Sequence, residues 1–124
     1  MPNPVNQIIS DDEFLYRGII SNNWDFENNR PSSATFKDSN GVSVDRDNGR
    51  IDEHCIYLLK QRKDYFGVCK VKTASVREIG AIVKYLPTDD NIYHSEIHDS
   101  MEQPSLRGSK PKKIRDIAEV VFKK

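Results

Sequence analysis

The sequence has no excess of charge of either sign and no long apolar run, and each absence excludes a class of protein. Its 124 residues contain 19 Lys and Arg against 19 Asp and Glu. A neutral domain lacks the positive field that attracts phosphate backbones, which argues against general nucleic-acid binding. No segment approaches the ~18 apolar residues of a membrane span, and the N-terminus has no basic patch followed by an apolar run. We therefore expect a cytoplasmic protein with no membrane partner.

Cysteine is also scarce, since Cys55 and Cys69 are the only two and each lies inside an apolar segment. A thiol in such a segment usually packs as a small hydrophobic group, so a disulfide is not indicated. Hydrophobic residues make up 36% of the chain and charged residues 31%. This composition predicts one domain with a thin core and a solvated surface that leaves room for partners.

Hydrophobic periodicity predicts an α+β fold, in a single domain that spans residues 1–124. Period-two or β-branched patterns predict strands over 14–20, 42–45, 65–72, 81–86 and 92–98. Helical spacing predicts helices over 51–62 and 113–123, and a capping box of Ser75 with Glu78 predicts a short one that Gly80 ends. We expect a largely antiparallel sheet of about five strands with about three helices on one face. Residues 1–10 are expected to form a loose lead-in, and residues 99–112 a mobile connector.

A first candidate site lies on the strand predicted over 92–98. Alternation would place His94, Glu96 and His98 in one row on the same face. Two imidazoles and one carboxylate suit iron, manganese or zinc with open coordination positions. The alternative is that all three are ordinary surface residues on an edge strand, because two histidines at short spacing make a weak motif. We expect no bound metal, and no other cofactor.

A second candidate set consists of Arg17, Ser33 and Glu96, which resembles the skeleton of the ADP-ribosyltransferase fold. The resemblance implies that Arg17 grips phosphate, Ser33 lines the nicotinamide pocket and Glu96 acts on the ribose. A guanidinium forks onto phosphate, and a carboxylate stabilises a cationic sugar in the transition state. The serine motif departs from Ser-Thr-Ser, however, and the chain is short for that fold.

The third candidate is a basic segment near the C-terminus, with five cations and no acid over residues 107–115. These cations are Arg107, Lys110, Lys112, Lys113 and Arg115. Such a segment would attract an acidic protein or, weakly, a phosphate backbone. The alternative is a solvated linker followed by the exposed face of the last helix.

Several short sequence motifs of this chain resemble those of a family of small uncharacterised prokaryotic proteins. The motifs are Leu15-Tyr-Arg17, Arg30-Pro-Ser-Ser-Ala-Thr-Phe36, Val42-Ser-Val-Asp45 and Arg77-Glu-Ile-Gly80, together with the strand that carries His94. The resemblance covers roughly residues 14–121 and carries no settled activity. It implies that the segment Arg30–Arg50 and His94 belong to one structural unit.

Taken together, these patterns favour a small cytoplasmic prokaryotic accessory or adaptor protein that binds a protein partner within a multi-gene system. We expect it to have no chemistry of its own, with a nucleotide-handling enzyme and a metal-binding protein as the alternatives. The residues expected to line a ligand groove are Arg17, Arg30, Ser32, Ser33 and His94.

Overall fold

A computed structural model describes residues 5–124, and its main element is an antiparallel sheet of six strands. The strands of this sheet are β1 Phe14–Ile19, β4 Val42–Arg46, β5 Gly67–Lys72, β6 Ile82–Tyr85, β7 His94–His98 and β8 Glu119–Lys123. Their spatial order is β6-β7-β4-β1-β5-β8. A separate short hairpin pairs β2 Trp24–Asp25 with β3 Arg30–Pro31. The predicted α+β class and antiparallel sheet are confirmed, with one strand more than expected.

The helices cover both faces of the sheet, so the expectation of three helices on one face is wrong. They are α1 Asp52–Arg62, α2 Thr73–Glu78 and α3 Lys110–Ile117. Residues of α1 pack with Tyr16 in the smaller core cluster, whereas residues of α2 and α3 join Leu15 in the larger one. Leu15 and Tyr16 are neighbours on β1 and point to opposite faces. Because both side chains are buried, helices must pack on both faces of the sheet.

The chain ends in a strand and not in the helix predicted over 113–123. Helix α3 starts at Lys110 and ends at Ile117, and β8 then pairs antiparallel with β5. Within the predicted helical stripe, Ile114 is buried but Ile117 is 44% exposed. The β-branched run that follows gains more from pairing with the edge of β5 and packing Phe122 onto the smaller core cluster.

Residues 5–10 are held against the sheet, although a loose lead-in was expected over residues 1–10. The buried Arg46 donates hydrogen bonds to the carbonyls of Asn6 and Ile8, and Ile9 is buried in the larger core cluster. The remainder of that expectation, residues 1–4, lies outside the described residues. A mobile connector was expected over residues 99–112. Leu106, within that segment, is buried in the larger core cluster.

The short helix α2 starts without the predicted capping box. It begins at Thr73, two residues before Ser75, and no side chain caps its first turn. Gly80 follows the helix with a φ of +100°, a left-handed conformation that favours glycine and stops the helix as expected.

A buried ion pair fixes the end of β4. Arg46 Nη2 lies 2.7 Å from Glu13 Oε2, with 1% of the Arg46 side chain and 11% of the Glu13 side chain exposed. Glu13 Oε1 also accepts a hydrogen bond from the backbone N–H of Asn48. Removal of one member of such a pair leaves the other charge buried and unpaired, which is more costly than the pair is stabilising.

We predict that Glu13→Gln lowers the free energy of unfolding by about 3 kcal/mol, because Arg46 then keeps its charge without a counter-ion. Chemical denaturation at neutral pH measures this change. The control is Asp64→Asn, which removes the exposed ion pair with Lys124 and should cost less than about 0.5 kcal/mol. Equal effects of the two substitutions would show that the Glu13–Arg46 pair is not buried as described.

Candidate functional site

The candidate site lies where two central strands separate. Strands β1 and β4 pair at Leu15 with Arg46 and at Tyr16 with Asp45. Beyond this point β1 continues beside β5 as far as Ile19, while β4 continues beside β7. A cavity of about 140 Å³ lies in this region, and we call it the Arg17 cleft. It is lined by Arg17, Gly18, Ser43, Val44, Asp45, Leu59, Arg62, Tyr65 and His94.

The Arg17 guanidinium joins the two strands where their ladder has ended. Its Nε donates to the carbonyl of Thr35 over 3.0 Å, and its Nη1 donates to the carbonyl of Ser43 over 2.9 Å. Among residues 5–124 no carboxylate forms an ion pair with it. Burial lowers the pKa of Arg17, because the charged form loses water, and the attraction of more distant groups such as Asp38 offsets this only in part. Peptide carbonyls are therefore its direct partners.

Tyr65 and Gly18 form a wall of the cleft. A Cβ atom on Gly18 would lie 2.4 Å from Tyr65 Cζ, so the ring rests directly on the glycine backbone. The same two residues, with Arg17, also line a second cavity of about 170 Å³ that extends to Asn23 and Lys63. Glycine at position 18 thus allows the aromatic ring to approach the guanidinium.

Asp45 and Arg62 close the side of the cleft nearest α1. The two form an ion pair in which the Asp45 side chain is 4% exposed and the Arg62 side chain 39% exposed. Asn91 Nδ2 donates to the other oxygen of Asp45 over 2.9 Å. The charge of Arg62 is thereby balanced, in contrast to that of Arg17.

His94, Glu96 and His98 are adjacent in the structure, with the carboxylate between the two rings. Glu96 Oε2 lies 3.1 Å from His94 Nε2, and Oε1 lies 2.8 Å from His98 Nε2. Burial alone would raise the pKa of Glu96, but the hydrogen bonds from His98 and His94 outweigh it and lower that pKa. Among the described residues no group of three or more His, Cys, Asp or Glu side chains has an arrangement that could hold a metal ion.

The structure brings together only part of the groove that the sequence predicted. Arg17 and His94 line one cleft, but Arg30, Ser32 and Ser33 line neither cavity beside Arg17. Ser33 begins a 3₁₀ helix, Ser33–Phe36, which packs against α3. Ser33 and Glu96, from the set that resembles an ADP-ribosyltransferase, are likewise missing from the lining of the Arg17 cleft.

Sequence reasoning missed most contributors to the cleft, among them Thr35, Asp45, Arg62 and Tyr65. Alternation in Val42–Arg46 places Asp45 opposite the buried valines, so its position on the cleft side could have been predicted. Thr35 contributes a backbone carbonyl, which no side-chain pattern reveals. Arg62 and Tyr65 line the cleft because α1 packs on the sheet at this point. No local sequence pattern predicts where on the sheet a helix packs.

The basic segment does not present its five cations on one surface. Arg115 is buried and donates to the carbonyl of Pro31. Lys110 pairs with Asp99 at 2.9 Å, and Arg107 donates to the side chain of Gln103. Lys112 and Lys113 are exposed. Three of the five cations are thus already bonded to side chains or buried against backbone, which weakens the case for a phosphate-binding surface.

Comparisons of the chain with protein-family models, with curated proteins and with solved structures found no match. None of the helices within residues 5–124 has both the length and the apolar character that crossing a membrane requires.

We predict that Glu96→Gln reduces the dependence of stability on acid pH. The pKa of Glu96 is lowered on folding, so its contribution is complete above the ordinary value of 4.5 and is lost as pH falls through the folded pKa. The substitution should cost roughly 1.5 kcal/mol at pH 7 and less at pH 3, because it removes a charge from two hydrogen bonds.

Denaturation at several pH values between 7 and 3 measures this difference, with Glu102→Gln, at an exposed position, as the control. The control should follow the wild type throughout. A cost for Glu96→Gln that is the same at pH 7 and pH 3 would contradict the proposed role of the carboxylate between the two imidazoles.

Proposed function

We propose that this chain is a small prokaryotic accessory protein that acts in the cytoplasm by binding a protein partner, with no chemistry of its own. The proposed contact is the outer surface of α1 together with the adjoining Arg17 cleft. The observation that carries the proposal is the exposure of large apolar side chains on and beside α1. Membership of a multi-gene system, which the sequence suggested, would supply the partner.

Helix α1 exposes apolar side chains because five such residues follow one another, from Cys55 to Leu59. Successive residues of an α-helix are separated by about 100°, so a run of five surrounds the helix. Cys55 and Leu59 are buried against the sheet, but Tyr57 is 58% exposed. Ile51, directly before the helix, is 68% exposed. These side chains have no cover within the described part of the chain.

Two concave regions flank this exposed face of α1. One, of about 320 Å³, lies between the helix and the β6–β7 loop and includes Leu58, Arg62 and Ile92. The other, of about 340 Å³, includes Ile56 and Tyr57. Charged residues border both regions: Asp89, Asp90, Glu53 and Lys60. An aromatic anchor within an apolar centre and a charged border is the usual arrangement of a protein-binding surface.

The nucleotide-handling alternative has less support from the geometry. The Arg17 cleft has a volume of about 140 Å³, whereas pockets for drug-sized ligands and cofactors hold roughly 300–1,000 Å³. Ser33, which that alternative requires beside Arg17, does not line the cleft.

We predict that NAD does not raise the thermal midpoint of unfolding. A ligand present at a hundredfold excess over its Kd would stabilise the fold by about 2.7 kcal/mol, which a thermal scan detects as a shift of several degrees. ADP-ribose serves as a second probe, with matched ionic strength as the control. A concentration-dependent rise with either nucleotide would contradict the proposal and favour the enzyme.

We predict that Tyr57→Ala weakens partner binding at least tenfold, because it removes an aromatic anchor from the centre of the surface. A photo-crosslinking residue at position 57 should form one discrete adduct with a partner protein in the native host. The tagged wild-type chain should recover the same partner without crosslinking, and the tagged Tyr57→Ala variant should not.

The matched control is Met101, which is 68% exposed outside this surface. The crosslinker at position 101 should form no such adduct, and Met101→Ala should leave recovery unchanged. The proposal is wrong if position 57 yields no adduct, or if Tyr57→Ala recovers the adduct partner as well as the wild type does.

A further inference from the structure

The Arg17 cleft carries an unbalanced positive charge beside the proposed protein-binding surface. Arg17 has no ion-pair partner within residues 5–124, whereas Arg62 is paired with Asp45 and His94 contacts Glu96. The ionised residues that line the cleft are Arg17, Arg62 and Asp45. The charges of these three residues sum to one positive charge, which a singly charged anion would balance.

The guanidinium also has unused donors. An arginine carries five N–H donors, and Arg17 uses two of them for the carbonyls of Thr35 and Ser43. Among the described residues, Arg17 Nη2 has no hydrogen-bond partner. Within the same residues, the side-chain atoms that are both fully buried and without a partner are Arg50 Nη1 and Thr73 Oγ1. Arg17 Nη2 is not one of them. Nη2 therefore keeps some contact with solvent and is able to donate to an incoming group.

We infer that the Arg17 cleft receives a carboxylate, supplied by an Asp or Glu side chain of the protein partner. This inference rests on the proposed function and specifies the chemistry of the contact. Arginine recognises a carboxylate through paired N–H donors, and here two backbone carbonyls already hold the guanidinium plane in place. Asp38 attracts this partly desolvated guanidinium only from beyond ion-pair distance, so the carboxylate would supply the direct counter-ion that Arg17 lacks among the described residues.

The size and charge of the cleft favour a carboxylate over a phosphate group. The volume of about 140 Å³ is enough for the end of an acidic side chain. A dianion would face Asp45, whose carboxylate also lines the cleft, with only one uncompensated positive charge to offset it.

The continuity of the two regions favours a protein as the source of the carboxylate. Arg62 lines both the Arg17 cleft and the cavity between α1 and the β6–β7 loop. A partner that covers Tyr57 and Leu58 would thus have its own side chains within reach of the cleft. The occupant to which we commit is an acidic side chain of that partner.

Titration with acetate tests the chemistry of the cleft without a partner. The readout is the side-chain Nε–H resonance of Arg17 in ¹H–¹⁵N spectra at pH 7, with sodium chloride of equal ionic strength as the reference. We expect a saturable shift with a midpoint in the millimolar range for acetate and none for chloride. Arg107→Gln, which removes an exposed guanidinium outside the cleft, should give the same curve as the wild type.

Arg17→Lys should weaken acetate binding at least tenfold, read from the backbone amides of Gly18 and Val44, because lysine keeps the charge but loses the planar fork. The amide spectrum shows whether the variant is folded. If it is not, the wild-type comparison of acetate with chloride still decides the inference. An acetate shift that is linear, or equal to that of chloride, would overturn it, as would tighter saturation by inorganic phosphate than by acetate.

The source of the carboxylate is tested separately, in the crosslinked complex at position 57. Each Asp or Glu in the partner segment that crosslinks to position 57 is replaced, one at a time, by Asn or Gln. One of these substitutions should weaken binding to the wild-type chain but not to Arg17→Lys. Equal losses in both backgrounds would overturn the protein source. Saturable acetate binding without any adduct at position 57 would instead contradict the proposed function and leave the carboxylate site standing.

Discussion

The candidate site depends on two hydrogen bonds from one side chain, those from Arg17 to the carbonyls of Thr35 and Ser43. The bond to Ser43 is made where β1 and β4 no longer pair, so there the guanidinium takes the place of a ladder hydrogen bond, and the bond to Thr35 connects β1 to the 3₁₀ helix Ser33–Phe36. The arginine therefore holds both segments to β1 and at the same time provides the cation of the cleft.

The opposite end of the β1–β4 pair is closed by a different set of charges. Arg46 is buried against Glu13, and Asp47 Oδ2 accepts a hydrogen bond from the backbone N–H of Phe14 over 2.8 Å. These contacts lock the strands together at one end, while the other end is free to separate. A rigid closed end and an open end with an unbalanced guanidinium are the features that allow the central strands to form a preorganised binding site.

Helix α1 connects this cleft to the rest of the proposed binding surface. Cys55 and Leu59 pack on Tyr16 and Val68, and this packing determines which side chains of the helix remain outside. Burial raises the pKa of Cys55 to about 11, so its thiol acts as a packing group. Because α1 is apolar on more than one side, its attachment to the sheet leaves Tyr57 exposed to solvent at the cavity that Ile56 also lines.

Local patterns in the sequence were sufficient for the elements whose stability is mainly local. The alternation in Val42–Arg46, the spacing in α1 and the left-handed Gly80 were all predictable, and so was the proximity of His94, Glu96 and His98 on one strand. The strand β8 was not, because its conformation depends on pairing with β5, about fifty residues earlier in the chain. Cleft residues such as Tyr65 were missed for the same reason, since only the tertiary structure shows where β4 leaves β1.

The most direct measurement of the central claim is hydrogen exchange of the Arg17 side-chain Nε–H in the isolated protein. If this group donates to the carbonyl of Thr35 in the 3₁₀ helix Ser33–Phe36, it should exchange much more slowly than the Nε–H of the exposed Arg107, and its resonance should show contacts to Thr35. Exchange as fast as that of Arg107, without those contacts, would contradict the account, because the guanidinium would then not be held in place by the Thr35 carbonyl.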